Sequence, residues 1–440
     1  MSDQHDDFRP RRDADKGREP QFISAQMGGR MISFAALAER IEAAFIEEHG
    51  VDSPELREAD TPTKRLKLVL ATTDYLLSVE SVQLAPQAKA DLIARVYSDL
   101  FGYGPLDPYF LDPRVTSISL EGIDRAAVRY EQGELTALGP IFQDAQHFRR
   151  VINRLLMDAG AELRDDQPVM EFGLAAGDRR ISVNLAAPPV TTQLTADIRV
   201  HPPVLPTWEA LIEQGLFTES GARFLRALVA SPHGLMIVGE PVSGKTTLLS
   251  VLANALTASD KLIAVERAGE LFLPAGAERL VVQWPLGSRP GVTFGEQIAR
   301  ALERQPTCLL LDEVRADEPL AIAPLLQLPN PPRQIWSFRG AIFTKRLQNA
   351  LGMLARRAEV GAGETLIRAL YERLPFVVTV NRVGERLRLW SIGEWQFRHS
   401  ADYPTYTALM QVENGELRLT SERPARPLDL PPDFWDETTS

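Results

Sequence analysis

Apolar residues recur at helical spacing in three stretches near the start of the chain, 34–48, 64–79 and 86–100. In the first, Phe34, Leu37, Ile41, Ala44 and Phe45 fall on one face, the stripe that an amphipathic helix buries. Residues 29–100 therefore predict a small helical bundle. From residue 101 to 203 the period changes. Residues 115–120 and 126–130 alternate apolar and polar positions around a Glu121-Gly122-Ile123-Asp124-Arg125 turn; 180–185 and 194–200 read as further strands, and 148–157 as a helix. This predicts a mixed α/β domain over 101–203, followed by the stiff linker Pro202-Pro203-Val204-Leu205-Pro206.

Across 204–395 short apolar runs alternate with helical patterns, the order of a parallel sheet wrapped by helices. A helix over 363–374 and β-like runs at 376–380 and 387–392 complete that domain, and 396–424 predicts a β-type extension. Residues 1–28 mix both charges with almost no aliphatic side chains and predict a disordered tail. Residues 425–440, rich in proline and acid, predict a flexible one.

Chemistry enters at Gly239-Glu240-Pro241-Val242-Ser243-Gly244-Lys245-Thr246, the complete G-x-x-x-x-G-K-[ST] pattern. The apolar run 234–238 before it suits a buried strand, and 246–256 after it has helical spacing. In that order, backbone N–H groups from Gly239 to Thr247 can wrap phosphates at a helix N-terminus. Lys245 then reaches the terminal phosphates, and Thr246 helps to hold Mg²⁺. A second apolar run, Cys308-Leu309-Leu310-Leu311-Asp312-Glu313, ends in two acids. A carboxylate at such a strand tip can order the metal shell, here Asp312, while its neighbour Glu313 orients or deprotonates the attacking water. Together the two segments predict a nucleotide site that takes ATP and Mg²⁺.

At 440 residues the chain predicts more than one folded domain. Its 48 basic and 59 acidic residues leave a net charge of −11, which argues against a nucleic-acid partner. The single cysteine, Cys308, excludes an internal disulfide and fits a reducing cytosol. No apolar segment is long enough to span a bilayer. The expected location is therefore cytoplasmic, with membrane contact through a partner.

Several stretches beyond the phosphate loop carry a resemblance to the type II/type IV secretion ATPases. Phe101-Gly102-Tyr103-Gly104-Pro105-Leu106-Asp107-Pro108 is similar to that family's G-x-G-P-L segment, and Asp112-Pro113-Arg114-Val115-Thr116-Ser117-Ile118 to its next strand. Arg164-Asp165-Asp166-Gln167-Pro168 and Ile198-Arg199 sit where the family has R-x-D-x-x-P and an I-R pair near the nucleotide. Val265-Glu266-Arg267-Ala268-Gly269-Glu270-Leu271 resembles its acidic Asp box, and Glu313-Val314-Arg315 its G-E-V-R segment. The tight-adherence (CpaF-like) pilus branch looks nearest. The resemblance implies a RecA-like P-loop ATPase core over 204–395 and a homohexameric ring. It also implies an inner-membrane platform protein as partner, with ATP hydrolysis driving pilin extraction or secretion.

The departures from the family pattern carry information too. A His box is expected about twenty-five residues beyond Asp312-Glu313, yet His5, His49, His147, His201, His233 and His399 all lie elsewhere. The equivalent segment is Asn330-Pro331-Pro332-Arg333-Gln334-Ile335-Trp336-Ser337-Phe338-Arg339-Gly340, with proline for the flexible glycines and Arg339 or Phe338 about where the histidine belongs. Arg339 reads either as a contact for a phosphate oxygen or as a surface arginine after a strand; it cannot exchange a proton near neutral pH. Pro241-Val242 replaces the usual flexible pair of the loop, removing one N–H donor and adding a β-branched residue. Arg267 stands where an acid is usual. Glu266 and Glu270 read as members of a metal and water network or as solvated acids. Arg164, Arg180 and Arg199 read as phosphate-binding arginines or as surface ion pairs, with the resemblance favouring Arg199. Trp208, Trp336 and Trp390 read as core packing. Hence two functional readings stand: a hydrolysing motor subunit, or a divergent paralogue that binds nucleotide for assembly or regulation and turns it over little.

Overall fold

The computed structural model describes residues 22–24, 31–50, 53–131, 133–257, 260–359, 361–383, 386–397 and 404–439. The chain divides into two units, one ending at Pro108 and one beginning at Tyr109. In the first, β1 (Phe22–Ser24) pairs antiparallel with β2 (Met31–Ser33), and α1 (Phe34–His49), α2 (Pro54–Glu58), α3 (Pro62–Val79) and α4 (Pro86–Phe101) follow. Ser33, Ser53 and Thr61 accept backbone N–H groups at the starts of the first three helices, which ends each stretch of preceding chain sharply. Leu37, Ile41, Phe45, Val69, Leu77, Leu92 and Val96 bury one shared apolar core. Of the expected tail over 1–28, only 22–24 are described, as a strand; the rest lies outside the described residues, as do His5 and His399.

The helix α5 (Asp107–Leu111) leads into a six-stranded antiparallel sheet: β3 (Val115–Glu121), β4 (Arg125–Tyr130), β5 (Leu135–Ala137), then α6 (Ala145–Asp158), β6 (Val169–Ala176), β7 (Arg179–Ala186) and β8 (Thr195–Val200). The strand order is β5-β4-β3-β8-β7-β6. The sequence pattern does not reveal β6, because Gly173 and small residues blur its alternation. The structure shows why glycine stands there: a Cβ on Gly173 would lie 1.7 Å from the Ala268 carbonyl oxygen.

The second sheet is built from α7 (Trp208–Glu213), α8 (Glu219–Ala230), β9 (Leu235–Gly239), α9 (Lys245–Ala253), β10 (Leu262–Glu266), β11 (Glu278–Val281), α10 (Phe294–Glu303) and β12 (Cys308–Val314). It continues through α11 (Pro319–Gln327), β13 (Arg333–Arg339), α12 (Thr344–Ala358), α13 (Gly363–Arg373), β14 (Phe376–Val383), β15 (Arg386–Gln396), β16 (Thr405–Glu413) and β17 (Glu416–Leu419). Nine strands run in the order β11-β10-β12-β13-β9-β14-β15-β16-β17. The first six are parallel and the last three antiparallel. Residues from α8 and α9 cover one face, and residues from α10 to α13 the other. Strands buried on both faces explain the unbroken apolar run Leu235–Gly239 and the four apolar residues that lead to Glu266 in β10.

Two expectations are corrected here. The chain from Ala425 to Trp435 does not hang free. Glu394, with no exposure, accepts the backbone N–H groups of Ala425 at 2.6 Å and Arg426 at 3.2 Å and pairs with the Arg426 guanidinium at 2.9 Å. Phe434 is fully buried beside Phe224. Proline and acid dominate this segment's composition, but Phe434 and Trp435 decide its fate. Trp390, expected in a core, is exposed, whereas Trp336 is sealed.

Candidate functional site

All parallel strands of the large sheet present their carboxyl ends on one side, where crevices of such sheets collect ligands. Gly239, the last residue of β9, opens the phosphate loop there. A Cβ on it would meet Ser243 Oγ at 2.4 Å and the Val380 carbonyl at 2.5 Å, so the loop closes tightly against the strand. Gly244 adopts φ 86° and caps α9, freeing the N–H groups of its first turn. Val242 also takes a left-handed φ, 63°, and stands exposed at the loop tip. That conformation costs a β-branched residue about 1–3 kcal/mol. Glu240 is exposed, Pro241 half-buried, and Ser243 buried with a hydroxyl that finds no hydrogen-bond partner among the described residues.

Lys245 is buried and donates from Nζ to the Glu240 carbonyl at 2.8 Å. Burial pulls its ammonium down to about 8, against the attraction of Glu313. Such a buried cation is a receptor waiting for an anion. Thr246 Oγ1 lies 3.5 Å from Asp312 Oδ1, and Thr247 lines a cleft with His201, Glu270 and Phe272.

β12 delivers the two acids. Asp312 shares the sheet face of Leu310, which α9 covers, and Ser337 Oγ donates to its Oδ1 at 2.6 Å. Burial, then the charge of Glu270, holds the Asp312 carboxyl well above the usual carboxylate range; the Ser337 hydrogen bond offsets part of this. At Glu313 the register between β12 and β13 slips, and φ is 59°. This bulge turns the Glu313 side chain out of the strand alternation and into the site. Ser337 Oγ accepts the Glu313 N–H at 2.7 Å, and Arg267 Nε donates to the Glu313 carbonyl at 2.9 Å. Burial opposes ionisation of Glu313, but Arg315 and Lys245 outweigh it and lower its pKa.

β13 pairs with β9 so that Arg339 lies opposite Gly239. Arg339 Nη1 is 3.6 Å from Glu313 Oε1, and its side chain is 48% exposed, so it faces the open side of the site. Pro331-Pro332 precede β13 at its other end, about 20 Å away for a seven-residue strand. The prolines that stand for the family's flexible glycines therefore lie at the far end of the strand from Arg339 and Glu313.

Glu266 is sealed from solvent and already engaged. Its Oε1 pairs with Arg279 at 2.7 Å and its Oε2 accepts the Leu271 N–H at 2.8 Å. Burial raises its pKa to about 7, with Arg279 opposing. It anchors the loop that carries Glu270, whose Oε2 is 3.5 Å from His201 Nε2. Arg199 on β8 is half-buried, and its charge reaches Lys245, Glu270 and Glu313 across the cleft. Arg180 instead donates to the Leu271 carbonyl and stacks 4.9 Å from the Phe272 ring, and Arg164 pairs with Asp166 at 3.3 Å. Neither is part of the cluster around Lys245.

The residues fit a nucleotide and its metal on their own chemistry. Ser243 has an unsatisfied buried hydroxyl, Lys245 a buried ammonium, and Thr246 and Asp312 put two oxygen donors side by side, the hard ligands that Mg²⁺ prefers. Sequence reasoning missed Ser337, Glu171 and the structural part of Arg315; only the small polar residue within the apolar run 335–338 signalled the first.

Residues 125–325 match the family model for the type II/IV secretion system protein. A putative conjugal transfer protein of Mycobacterium tuberculosis is 28% identical over 307 residues, 66% of this chain and 83% of the relative. Type IV secretion system protein VirB11 of Brucella suis is 25% identical over 272 residues, 55% of this chain and 73% of the relative. Among solved structures, the Legionella pneumophila ATPase DotB aligns over 69% of this chain and 82% of its own, at 15% identity and a TM-score of 0.47.

Proposed function

We propose that this chain, a member of the type II/IV secretion system ATPase family, is the motor subunit of a secretion or tight-adherence (Flp-type) pilus assembly system. One observation carries the reading: Lys245, Thr246, Asp312, Glu313 and Arg339 meet at the carboxyl ends of the adjacent strands β12, β13 and β9. Glu313 takes the proton of a water whose oxygen attacks the γ-phosphorus as the bond to the β–γ bridging oxygen breaks. Lys245, Arg199 and Arg339 surround the phosphates with positive charge and hold them in line. A magnesium ion beside Thr246 and Asp312 would supply further charge neutralisation on the phosphate oxygens.

The working form proposed is a cytoplasmic homohexamer under an inner-membrane platform protein. The ring, its location and its platform partner are what the resemblance implies. A net charge of −11 disfavours nucleic acid as the transported polymer, and among the described residues no helix is long and apolar enough to cross a membrane. ATP turnover by the full chain, with and without single-stranded DNA, tests the proposal. DNA-independent hydrolysis that Glu313→Gln reduces by about 10²- to 10⁴-fold, with ATP-analogue binding retained, supports it. Binding without turnover in the parent protein establishes the regulatory paralogue instead. Stimulation by DNA establishes a translocase.

A further inference from the structure

Arg315 is two residues beyond Glu313, and a single nitrogen of its guanidinium serves two carboxylates. Nη2 lies 2.9 Å from Glu313 Oε1 and also pairs with Glu171 Oε2, while Nε donates to the same Glu313 oxygen at 3.2 Å. Glu171 belongs to β6, in the other sheet. All three side chains are shielded, at 12% exposure for Glu171, 23% for Arg315 and 13% for Glu313. In such surroundings ion pairs hold geometry far better than exposed pairs do.

The backbone of Glu171 is itself fixed from two sides. Its carbonyl accepts the Trp284 indole N–H at 2.7 Å, and two residues on Gly173 lies flat against the Ala268 carbonyl. Within β6, Glu171 pairs with Asn184 of β7. The Glu171 backbone is thus a fixed point of the six-stranded sheet, and Arg315 is the arm between its carboxylate and the acid of the large sheet.

We propose that Glu171 is a positioning residue for hydrolysis, acting through Arg315 to set where the Glu313 carboxylate stands. This rests on the reading of Glu313 as the proton acceptor. Without Glu171, Arg315 loses the partner that holds it back, and its whole guanidinium is free to close over Glu313. The oxygen that must face water is then covered. The arrangement also makes the rate depend on the distance between the two sheets: any shift of β6 relative to β12 moves Arg315, and with it Glu313. Arg267, which holds the Glu313 carbonyl and pairs with Glu318, keeps the backbone of the bulge still while the side chain is steered.

Full-length Glu171→Gln, Arg315→Gln, the double variant and Arg315→Lys would be compared with the parent for ATP turnover, ATP-analogue affinity and melting temperature. The expected result for Glu171→Gln is a kcat reduced by up to about a hundredfold with analogue affinity within about twofold of the parent. The double variant should be no slower than Arg315→Gln alone, because both remove the same arm. Arg315→Lys keeps the charge but loses Nε and the planar fork that fix the guanidinium against Glu313, and should lose turnover while remaining folded even if Glu171→Gln does not. A lowered melting temperature with unchanged kcat in the folded variants, or effects of Glu171→Gln and Arg315→Gln that simply multiply, would overturn the proposal. If Glu313→Gln itself leaves turnover intact, the reading of Glu313 has failed. If Glu313→Gln is inactive and Glu171→Gln matches the parent, only the positioning role has failed.

Discussion

Arg339 Nη1 stands 3.6 Å from Glu313 Oε1, and the strand pairing that places it there also sets Arg339 directly across from Gly239, the first residue of the phosphate loop. A permanent cation thus occupies the open side of the site, between the proposed proton acceptor and the proposed phosphate loop. Arg339→Ala should lower turnover by about 10²-fold while leaving ADP affinity nearly unchanged, since the proposed role of this cation is beside the terminal phosphate alone. Steady-state hydrolysis and calorimetric ADP titration check this. Identical kinetics in parent and variant would return Arg339 to the surface.

Ser337 serves both acids at once, donating to Asp312 and accepting from the Glu313 backbone. Ser337→Ala leaves a buried N–H and a buried carboxyl oxygen each short of a partner. It should cost about 1–3 kcal/mol of stability. Denaturant unfolding would measure that loss, and turnover should fall with it because the bulge is no longer pinned. Ser337→Thr, with the same hydroxyl, should recover most of the activity if the extra methyl is accommodated.

Val242 holds a left-handed φ that favours glycine. Val242→Gly removes about 1–3 kcal/mol of native-state strain and adds back about 0.5–1 kcal/mol of chain entropy, so the net change should be stabilising. Differential scanning calorimetry should show a higher melting temperature in the nucleotide-free protein. A drop of several degrees would mean that the exposed valine packs against something that the isolated chain does not contain.

Glu266 supplies a pH signature. Its pKa is raised from an ordinary value near 4.5 to about 7 by burial, so the folded chain binds its proton more tightly than the unfolded chain. The stability from this group is therefore fully present below the unfolded value and is lost as pH rises through 7. Across that window the unfolding free energy of the parent should fall relative to Glu266→Gln, by at most about 3 kcal/mol. A parallel pair of stability curves from pH 4.5 to 7.5 would show that Arg279 holds Glu266 ionised throughout.

Much of this site is legible in the amino-acid sequence. The strand–loop–helix order around Gly239 and the acids at the end of an apolar run are local patterns of motif and periodicity, whereas Arg339 is reached only through the family resemblance, as a position about where the histidine belongs. What escapes is whatever acts across the chain. Glu171 meets Arg315 over 144 positions, and nothing in Val169-Met170-Glu171 distinguishes it from any half-buried strand acid. The proline pair misleads for a related reason. Counting residues places Pro331-Pro332 near the missing histidine, but an extended strand converts eight positions into about 20 Å or more. Glu266, weighed as a member of the water network, is committed to Arg279 and Leu271; a carboxylate's partners are not visible in its own neighbourhood of sequence. The helical unit is clearer, because α1, α3 and α4 each bury a regular stripe.

The sealed carboxylate of Glu394 has a practical consequence for anyone shortening this chain. Its neutralising charge and two of its hydrogen bonds come from Ala425 and Arg426, residues whose composition invites removal to improve expression. A stop placed ahead of Ala425 would strand an anion in a dry interior and uncover Phe224 where Phe434 now sits. What looks like a trailing end behaves as the lid on a buried charge, and a tag or truncation there belongs after Trp435.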